Sequence, residues 1–469
     1  MWSHGAASAW LCLVVVAAWA GAARHGFVWL DEREVVEAGY RITSADDLRL
    51  AWTTTLDAYL ERTDGVAPNY DAGYWRPIYA MSISLPWLIA GESALAYHVY
   101  AIAWHLAVVL LLYALGVAIV GDLPRGRGAV LLATAAFAAH PLCTQSVTWI
   151  SGQKDTLCAA LGVASLCCLM RAPDGGWRAW LLGALAVVLL LGSLGAKELG
   201  LVVVAAGALA VWQRGPGDPR WQVRVGIVIA MIVGACAYLQ YRLNVVGSMG
   251  LDVARPTASV LSAVVMSCTL AVGYLRDVLL PHPTVLSDAV AVPTGLTADG
   301  LAAMVLVSML LLVTAYGVVR RRAWAFGLAW YAVWLAPVSG IVPLRHWRAE
   351  RYLYPAAWGL LLTVALLLAP VYAWLERRIG RVAMALPAVA IAMLIVVTNH
   401  GNGYWADDAT LFADAIERDP RYVEGRVHVA TQASDGGAYD TAITHFERAI
   451  ADANDPTLAA YWSPFVTHH

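Results

Sequence analysis

Long apolar stretches recur along this chain of 469 residues, and short polar segments separate them. An α-helix needs about 20 apolar residues to cross a bilayer, so the pattern predicts an all-α polytopic membrane protein with about eleven transmembrane helices. The predicted spans are 8–24, 97–120, 129–140, 153–170, 179–195, 198–213, 225–240, 299–319, 323–338, 354–374 and 382–398.

Two further apolar stretches, 77–90 and 259–280, lie inside the longer, more polar segments 25–96 and 241–298. We expect these stretches to form helices that lie in, or dip into, the membrane surface. The alternative is that both cross the membrane fully, which leaves the sidedness of every other segment unchanged.

The distribution of arginine predicts the orientation. Hydrophobic residues make up 60% of the chain and charged residues 14%, which is too apolar for an ordinary soluble protein. Five short loops between apolar stretches carry 13 of the 29 arginines, and the positive-inside rule makes such loops cytoplasmic. The N-terminus is then cytoplasmic, whereas 25–96, 241–298 and the C-terminus are extracytoplasmic. The loop arginines are Arg125 and Arg127; Arg171 and Arg178; Arg214, Arg220 and Arg224; Arg320, Arg321 and Arg322; and Arg377, Arg378 and Arg381.

Residue usage adds three expectations. Arginine outnumbers lysine and alanine is abundant, which favours a bacterial protein of the inner (plasma) membrane. The seven cysteines lie mostly in apolar stretches, so we expect buried thiols and no disulfide framework. Residues 8–23 resemble a cleavable signal peptide but lack a basic n-region, so we expect a retained helix. In either case Asp31 is extracytoplasmic.

The composition becomes soluble after residue 400, which divides the chain into a membrane domain, 1–399, and an extracytoplasmic helical segment, 400–469. Ala442, Phe446 and Ala449 have the spacing of packing positions in a tetratricopeptide repeat (TPR). Only about one and a half repeats fit, fewer than a solenoid normally needs for stability. The segment must therefore dock on the membrane domain, on a partner or on another copy of the chain.

An acidic pair, Asp31 and Glu32, follows the first predicted span. Two adjacent carboxylates at a partly desolvated interface repel each other, so one of them can act as a general base. The alternative is an ordinary solvated helix exit.

The chain has only two lysines, Lys154 and Lys197, and each is followed by a carboxylate, Asp155 or Glu198. A lysine at a membrane boundary needs a partner, and its compact ammonium suits a phosphate. The alternative is that Asp155 simply neutralises Lys154 and that Glu198 only helps to close a helix pair.

A basic and aromatic cluster between residues 345 and 354 lies on the predicted outer face, where it opposes the positive-inside rule. Binding of an anionic lipid or phosphate would explain Arg348, Arg351 and Tyr352 at that position. The histidines His98, His105 and His140 lie near the same face. We expect them to be hydrogen-bonded packing groups, with metal ligation together with Asp31 as the alternative.

Taken in order, several short motifs resemble the bacterial relatives of the transmembrane-and-TPR O-mannosyltransferases, which belong to the GT-C superfamily. The resemblance covers nearly the whole chain. Its motifs are Trp29-Leu30-Asp31-Glu32, Tyr74-Trp75-Arg76-Pro77, Tyr97-His98 with His105, His140-Pro141 through Lys154-Asp155, Ala196-Lys197-Glu198, Tyr274-Leu275 with Pro281 and Leu286-Ser287, Glu350-Arg351-Tyr352-Leu353-Tyr354, and the repeat-bearing tail.

This resemblance implies a GT-C-type bundle that transfers a sugar, with inversion, from a polyprenyl-phosphate donor to a hydroxyl on the extracytoplasmic face, with protein Ser/Thr as the expected acceptor. Asp31 would be the base, and Glu32 would orient it or share its role. Fixed cations would stabilise the leaving phosphate, and the candidates are Lys154, Lys197, Arg348, Arg351 and, more weakly, Arg76. We expect no cofactor, no metal requirement and no nucleic-acid partner.

Two other functions remain open. The same fold could glycosylate a lipid or a polysaccharide, because acceptor choice would depend on 41–75 and 241–298. The chain could instead be a non-catalytic membrane scaffold that docks partners through its TPR-like tail. A transporter is disfavoured because the polar motifs gather at one membrane face and not at the midplane.

Overall fold

The computed structural model describes residues 3–29, 31, 40–64, 73–247, 259–283, 286–287, 289–293, 295–341, 344, 346–455 and 457–459. These residues form an almost entirely helical chain. The helices are α1 His4–Trp19, α2 Ala45–Thr53, α3 Leu56–Asp64, α4 Pro77–Ala90, α5 Ala94–Val120, α6 Gly126–Ala138, α7 Thr144–Val147, α8 Gln153–Arg171, α9 Trp177–Ala196, α10 Val202–Arg214, α11 Trp221–Val246, α12 Val260–Leu279, α13 Ala298–Val319, α14 Ala323–Leu335, α15 Tyr354–Ile379, α16 Ala385–Gly403, α17 Asp408–Arg418, α18 Val423–Asp435 and α19 Tyr439–Ala453.

Among the described residues, seven helical segments are long and apolar enough to cross a membrane. They are His4–Arg24, Ala94–Val120, Trp177–Ala196, Trp221–Val246, Val260–Leu279, Ala298–Val319 and Glu350–Gly403, the last of which contains both α15 and α16. The prediction of an all-α polytopic membrane protein is therefore confirmed. Helix also occupies every other predicted span, but α10 and α14 have only 13 residues each, so the count of eleven stays a prediction.

The two stretches predicted to lie at the membrane surface differ from each other. Helix α12 has 20 residues and the apolarity of a full span, which matches the alternative interpretation. Helix α4 has 14 residues, begins at Pro77 and contains Pro86, so it is too short to cross a bilayer unaided.

The helical path is sharply bent after α6. Helix α6 and the segment Pro141–Val147 meet at an angle of 55°. Pro141 explains the break, because proline disfavours a helical conformation at the preceding residue, His140. Helix α8 then begins beside this break and packs between α5, α9 and α10 in the middle of the bundle.

The C-terminal helices dock on the membrane domain. Leu411 and Phe412 of α17 pack with Val28, Trp29 and Trp149 in one apolar cluster. A two-residue antiparallel pairing joins β1, Val290–Ala291, to β2, Leu458–Ala459. Of the three predicted docking possibilities, the structure shows contact with the membrane domain.

Candidate active site

Asp31 lies at the centre of a buried polar region. Its side chain is fully buried, and its Oδ1 accepts hydrogen bonds from the backbone N–H of Ser151 at 2.8 Å and from the Ser151 hydroxyl at 2.7 Å. Its Oδ2 accepts the backbone N–H of Val28 at 3.3 Å. Hydrogen bonds donated to a carboxylate stabilise its charged form. The solvated helix exit considered as an alternative is therefore wrong for Asp31. Glu32 lies outside the described residues.

The turn that carries Asp31 is held in an unusual conformation. Trp29 has a φ of 57°, a left-handed conformation that costs energy for a bulky residue. Its backbone N–H donates to Asp408 Oδ1 at 2.6 Å, and its indole N–H donates to Glu424 Oε1 at 2.7 Å. Its ring stacks on Trp149 with centroids 4.4 Å apart. The C-terminal helices and Trp149 thus hold Trp29, which lies two residues before Asp31.

Two predicted phosphate-binding cations converge on the ring of Trp149. Lys154 Nζ lies 4.9 Å from the ring centroid, and the Arg351 guanidinium lies 5.5 Å from it. Arg351 also donates to the side-chain oxygen of Gln145, at 3.4 Å. These contacts bring Lys154 and Arg351 to the same tryptophan ring that stacks on Trp29.

The second lysine forms a buried ion pair. Lys197 Nζ donates to Asp155 Oδ1, and the ammonium lies 5.8 Å from the ring centroid of Tyr352. The interpretation that Asp155 neutralises Lys154 is wrong. Lys154 and Asp155 are consecutive in α8, and consecutive helical residues point in different directions. Asp155 consequently faces α9 and Lys197, whereas Lys154 faces Trp149.

Glu198 also points away from its neighbour Lys197, which has an extended backbone conformation between α9 and the next helical turn. Glu198 Oε2 accepts two hydrogen bonds from Arg76, at 2.7 and 3.2 Å, and Arg242 approaches its other oxygen to 3.9 Å. The Arg76 guanidinium also lies 4.1 Å from the ring centroid of Tyr74. Glu198 thus joins α4 and α11 to the junction between α9 and α10. The pairing of Glu198 with Lys197 as closing residues of one helix pair is not observed.

Arg348 belongs to a separate cluster on α12. Its guanidinium donates to Asp277 Oδ2 at 2.9 Å, while His282 Nε2 lies 3.4 Å from Asp277 Oδ1. The hydrogen bond with Asp277 raises the pKa of His282, and burial opposes this effect. Arg348 is therefore charge-paired, and the described contacts do not bring it to Trp149.

The three histidines serve different packing contacts. His98 Nε2 lies 3.3 Å from the Gly26 carbonyl, and His140 Nε2 lies 3.1 Å from the Val278 carbonyl. His105 contacts the Tyr354 hydroxyl at 2.7 Å and the Ala138 carbonyl at 3.1 Å. Within the described part of the chain, no group of three His, Cys, Asp or Glu side chains is placed to hold a metal ion. The metal site considered for these histidines with Asp31 is thus not formed by the described residues.

Several contacts of this region were not predicted from the sequence. Ser151, Trp149 and Gln145 lie in the string that follows His140, but only Lys154 and Asp155 of that string were assigned roles. The contacts of Trp149 and Ser151 depend on the path of the chain after α6. This irregular segment has no hydrophobic periodicity from which its path could be predicted. Within the described residues, four buried polar atoms here have no hydrogen-bond partner. They are Ser146 Oγ, Trp149 Nε1, Gln153 Nε2 and Asp155 Oδ2. Such atoms are commonly satisfied by a polar ligand or by water.

Comparison with known proteins gives a limited similarity. No protein-family model matches the sequence, and no curated protein matches it. Archaeal oligosaccharyltransferase AglB from Archaeoglobus fulgidus, in complex with an inhibitory peptide and a dolichol-phosphate, aligns with 13% identity and a TM-score of 0.45 over 93% of this chain and 59% of that chain. ArnT from Cupriavidus metallidurans, bound to undecaprenyl phosphate, aligns with 11% identity and a TM-score of 0.45 over 89% of this chain and 80% of that chain.

A second structure of the Archaeoglobus fulgidus oligosaccharyltransferase, tethered to an acceptor peptide with the NVT sequon, aligns at 13% identity and a TM-score of 0.43. The alignment covers 58% of that chain and 92% of this chain. The chain thus spans less than two thirds of the archaeal enzyme. At these values the similarity describes a general helical arrangement and assigns no activity to this chain.

Proposed function

We propose that this chain is a GT-C-type glycosyltransferase that moves a sugar from a polyprenyl-phosphate carrier to a hydroxyl group. The observation that carries the proposal is the juxtaposition at Trp149. The buried, hydrogen-bonded Asp31 follows Trp29 by two residues, the Trp29 ring stacks on Trp149, and Lys154 and Arg351 contact the Trp149 ring. The proposed reaction needs a carboxylate that accepts a proton and cations that stabilise a leaving phosphate, and this region contains both.

The reaction follows from these charges. Asp31 removes the proton of the acceptor hydroxyl as its oxygen bonds to the anomeric carbon. The bond between that carbon and the phosphate oxygen breaks, and the polyprenyl phosphate leaves with both bonding electrons. Lys154 and Arg351 stabilise its developing negative charge. Because the hydroxyl attacks opposite the phosphate, the sugar carbon is inverted.

The remaining cations support the site through other residues. Lys197 is neutralised by Asp155, Arg76 is bound to Glu198 and Arg348 is bound to Asp277. We assign Lys197 and Arg76 chiefly to holding α4, α8 and α9 around the phosphate position. Metal independence remains part of this proposal, since the proton and the phosphate charge are both handled by side chains.

We place the reaction at the extracytoplasmic face and propose serine and threonine hydroxyls of proteins as acceptors. The test is intact-mass analysis of extracytoplasmic proteins from bacteria that carry the wild-type chain, Asp31→Asn or no chain. The expected result is a hexose-sized mass on one or more proteins with the wild-type chain only. Identical protein masses in all three strains would contradict protein acceptors, and radiolabelled lipid and polysaccharide fractions would then test the other acceptor classes.

One observation favours the scaffold as a second candidate. Helix α19 exposes four apolar side chains at helical spacing, and these are Tyr439, Ile443, Phe446 and Ile450. Such a stripe suits docking of a partner. A scaffold should retain its function when Asp31 is replaced by asparagine, because asparagine keeps the shape and can still accept hydrogen bonds from Ser151. The enzyme should not.

A further inference from the structure

A second polar site lies at the end of the bundle opposite Asp31, here called the arginine-rich end. A cavity of about 760 Å³ opens there between α5, α10, α14 and α15. Its wall includes Ile119 and Leu366, whereas its rim carries Arg125, Arg214, Arg321 and Arg322. His98, near the Asp31 turn, is separated from Ile119 along α5 by about 30 Å at 1.5 Å per residue. The cavity is thus remote from the proposed reaction.

The chain supplies backbone hydrogen-bond donors to this cavity as well. Helices α6 and α14 both begin at its rim, and neither has a side-chain hydrogen bond at its N-cap residue, Arg125 or Arg322. Ala323 and Trp324, in the first turn of α14, line the cavity. The first N–H groups of a helix attract anions because they have no partner within the helix.

The arginines are only partly neutralised. Arg125 pairs with Glu376 at 3.1 Å, and Arg214 pairs with Asp122 at 2.9 Å and Asp218 at 3.4 Å. Arg321 instead donates to the Trp212 carbonyl. Among the described residues Arg322 has no acidic partner. The cavity therefore holds an excess of positive charge beside an apolar wall.

The backbone at the rim is also strained. Arg125 and Arg321 have φ values of 63° and 51°. Both are non-glycine residues in the left-handed region, and conformations of this kind persist where the surrounding structure requires them. Two residues in this conformation therefore line the same cavity.

We propose that this cavity binds the headgroup of an anionic phospholipid from the adjacent leaflet, which the positive-inside rule identifies as the cytoplasmic one. The phosphate would lie among Arg322, Arg321 and the first turn of α14. One acyl chain would follow Ile119 and Leu366 towards the lipid-facing surface of α15, where Leu367 and Leu368 are each 54% exposed. A lipid fits this arrangement better than free phosphate, because basic pockets between transmembrane helices bind lipid headgroups and the wall is apolar.

Native mass spectrometry of the full chain in detergent tests this proposal. Phosphatidylglycerol and phosphatidylcholine with the same acyl chains would be titrated in turn against wild type, Arg322→Gln, Arg322→Glu and Arg178→Glu. Arg178 is the control because it lies in another arginine-rich loop and does not line the cavity. Thermal unfolding of each variant would confirm that it is folded.

The expected result is at least tenfold preference of the wild type and of Arg178→Glu for phosphatidylglycerol. Arg322→Gln should lose several-fold in affinity for this lipid, and Arg322→Glu at least tenfold, while phosphatidylcholine binding stays unchanged. Equal binding of both lipids by the wild type would overturn the proposal. So would a loss of affinity in the control Arg178→Glu as large as the loss in Arg322→Glu. Displacement of phosphatidylglycerol by inorganic phosphate alone at millimolar concentration would assign the site to a free anion and would likewise contradict it.

Discussion

At the scale of single residues, side-chain direction determines what each charged group does. Lys154 and Asp155 are neighbours in sequence, but Lys154 lies over Trp149 and Asp155 binds Lys197. Glu198 likewise turns away from Lys197 and binds Arg76. The sequence singled out the two lysines and their acidic neighbours because lysines at membrane boundaries need partners. It did not reveal the pairs, since each partner comes from a different helix.

The buried pair of Lys197 and Asp155 should be strongly coupled. Lys197→Met or Asp155→Asn alone leaves one buried charge without its partner, which typically costs about 3–5 kcal/mol. The double variant Lys197→Met/Asp155→Asn should regain a large share of that loss. Thermal or denaturant unfolding of the purified chain in detergent gives the double-mutant cycle. Strictly additive losses would show that the two side chains do not act as a pair.

His282 should make stability depend on pH. Its pKa is raised in the folded chain by the hydrogen bond with Asp277. Its contribution is therefore fully present below about pH 6.5, the ordinary value, and is lost as pH rises through the raised pKa. The protonated ring should therefore add to the free energy of unfolding as the pH falls from 8 to 6. His282→Gln should reduce this increase by less than about 1 kcal/mol, because the ring is partly exposed. An unchanged gain in stability in His282→Gln would contradict this role of the ring.

At the scale of elements, the C-terminal helices act on the turn that carries Asp31. Asp408 and Glu424 bind the two N–H groups of Trp29, and Gly26 donates to the Ala406 carbonyl at 3.2 Å. Helix positions were predictable because apolar runs and arginine loops mark where spans lie. The contacts between the tail and the first turn were not, since residues 29 and 424 are almost 400 positions apart and the hydrophobic pattern carries no information on such pairs.

Asp408→Ala should loosen the turn without unfolding the bundle. It removes the acceptor of the Trp29 backbone N–H, and a partly buried N–H without a partner costs about 1–3 kcal/mol. Hydrogen–deuterium exchange in a peptide covering residues 25–31 should become at least about tenfold faster at that amide. Asp440→Ala, an exposed carboxylate in the first turn of α19, is the matched control and should leave exchange unchanged. Equal exchange in wild type and Asp408→Ala would show that α17 does not hold the turn.

At the scale of the whole molecule, the proposed site and the arginine-rich cavity lie at opposite ends of the helices. Asp31, Trp149 and Arg351 gather at one end, and the arginine loops around the 760 Å³ cavity lie at the other. Hydropathy and arginine placement were sufficient to predict this division. They were insufficient for the helix count, because α8 is buried within the bundle and α10 and α14 are short.

The predicted orientation can be tested on α13, whose ends lie about 30 Å apart at 1.5 Å per residue. In a Cys236→Ala background, a membrane-impermeant maleimide added to intact spheroplasts should label Asp299→Cys and not Arg320→Cys. Both should react after permeabilisation, which controls for accessibility. The reverse labelling pattern would contradict an extracytoplasmic site at Asp31.

Donor turnover by the purified chain tests the central claim most directly. Wild type, Asp31→Asn and the exposed-carboxylate control Asp46→Asn would be given a polyprenyl-phosphate-linked hexose and a serine/threonine peptide library, with released polyprenyl phosphate as the readout. General-base catalysis contributes about 10²–10⁴-fold, so Asp31→Asn should lose at least 100-fold in rate while Asp46→Asn keeps the wild-type rate. Equal rates in the wild type and in folded Asp31→Asn would contradict the assignment of Asp31 as the base.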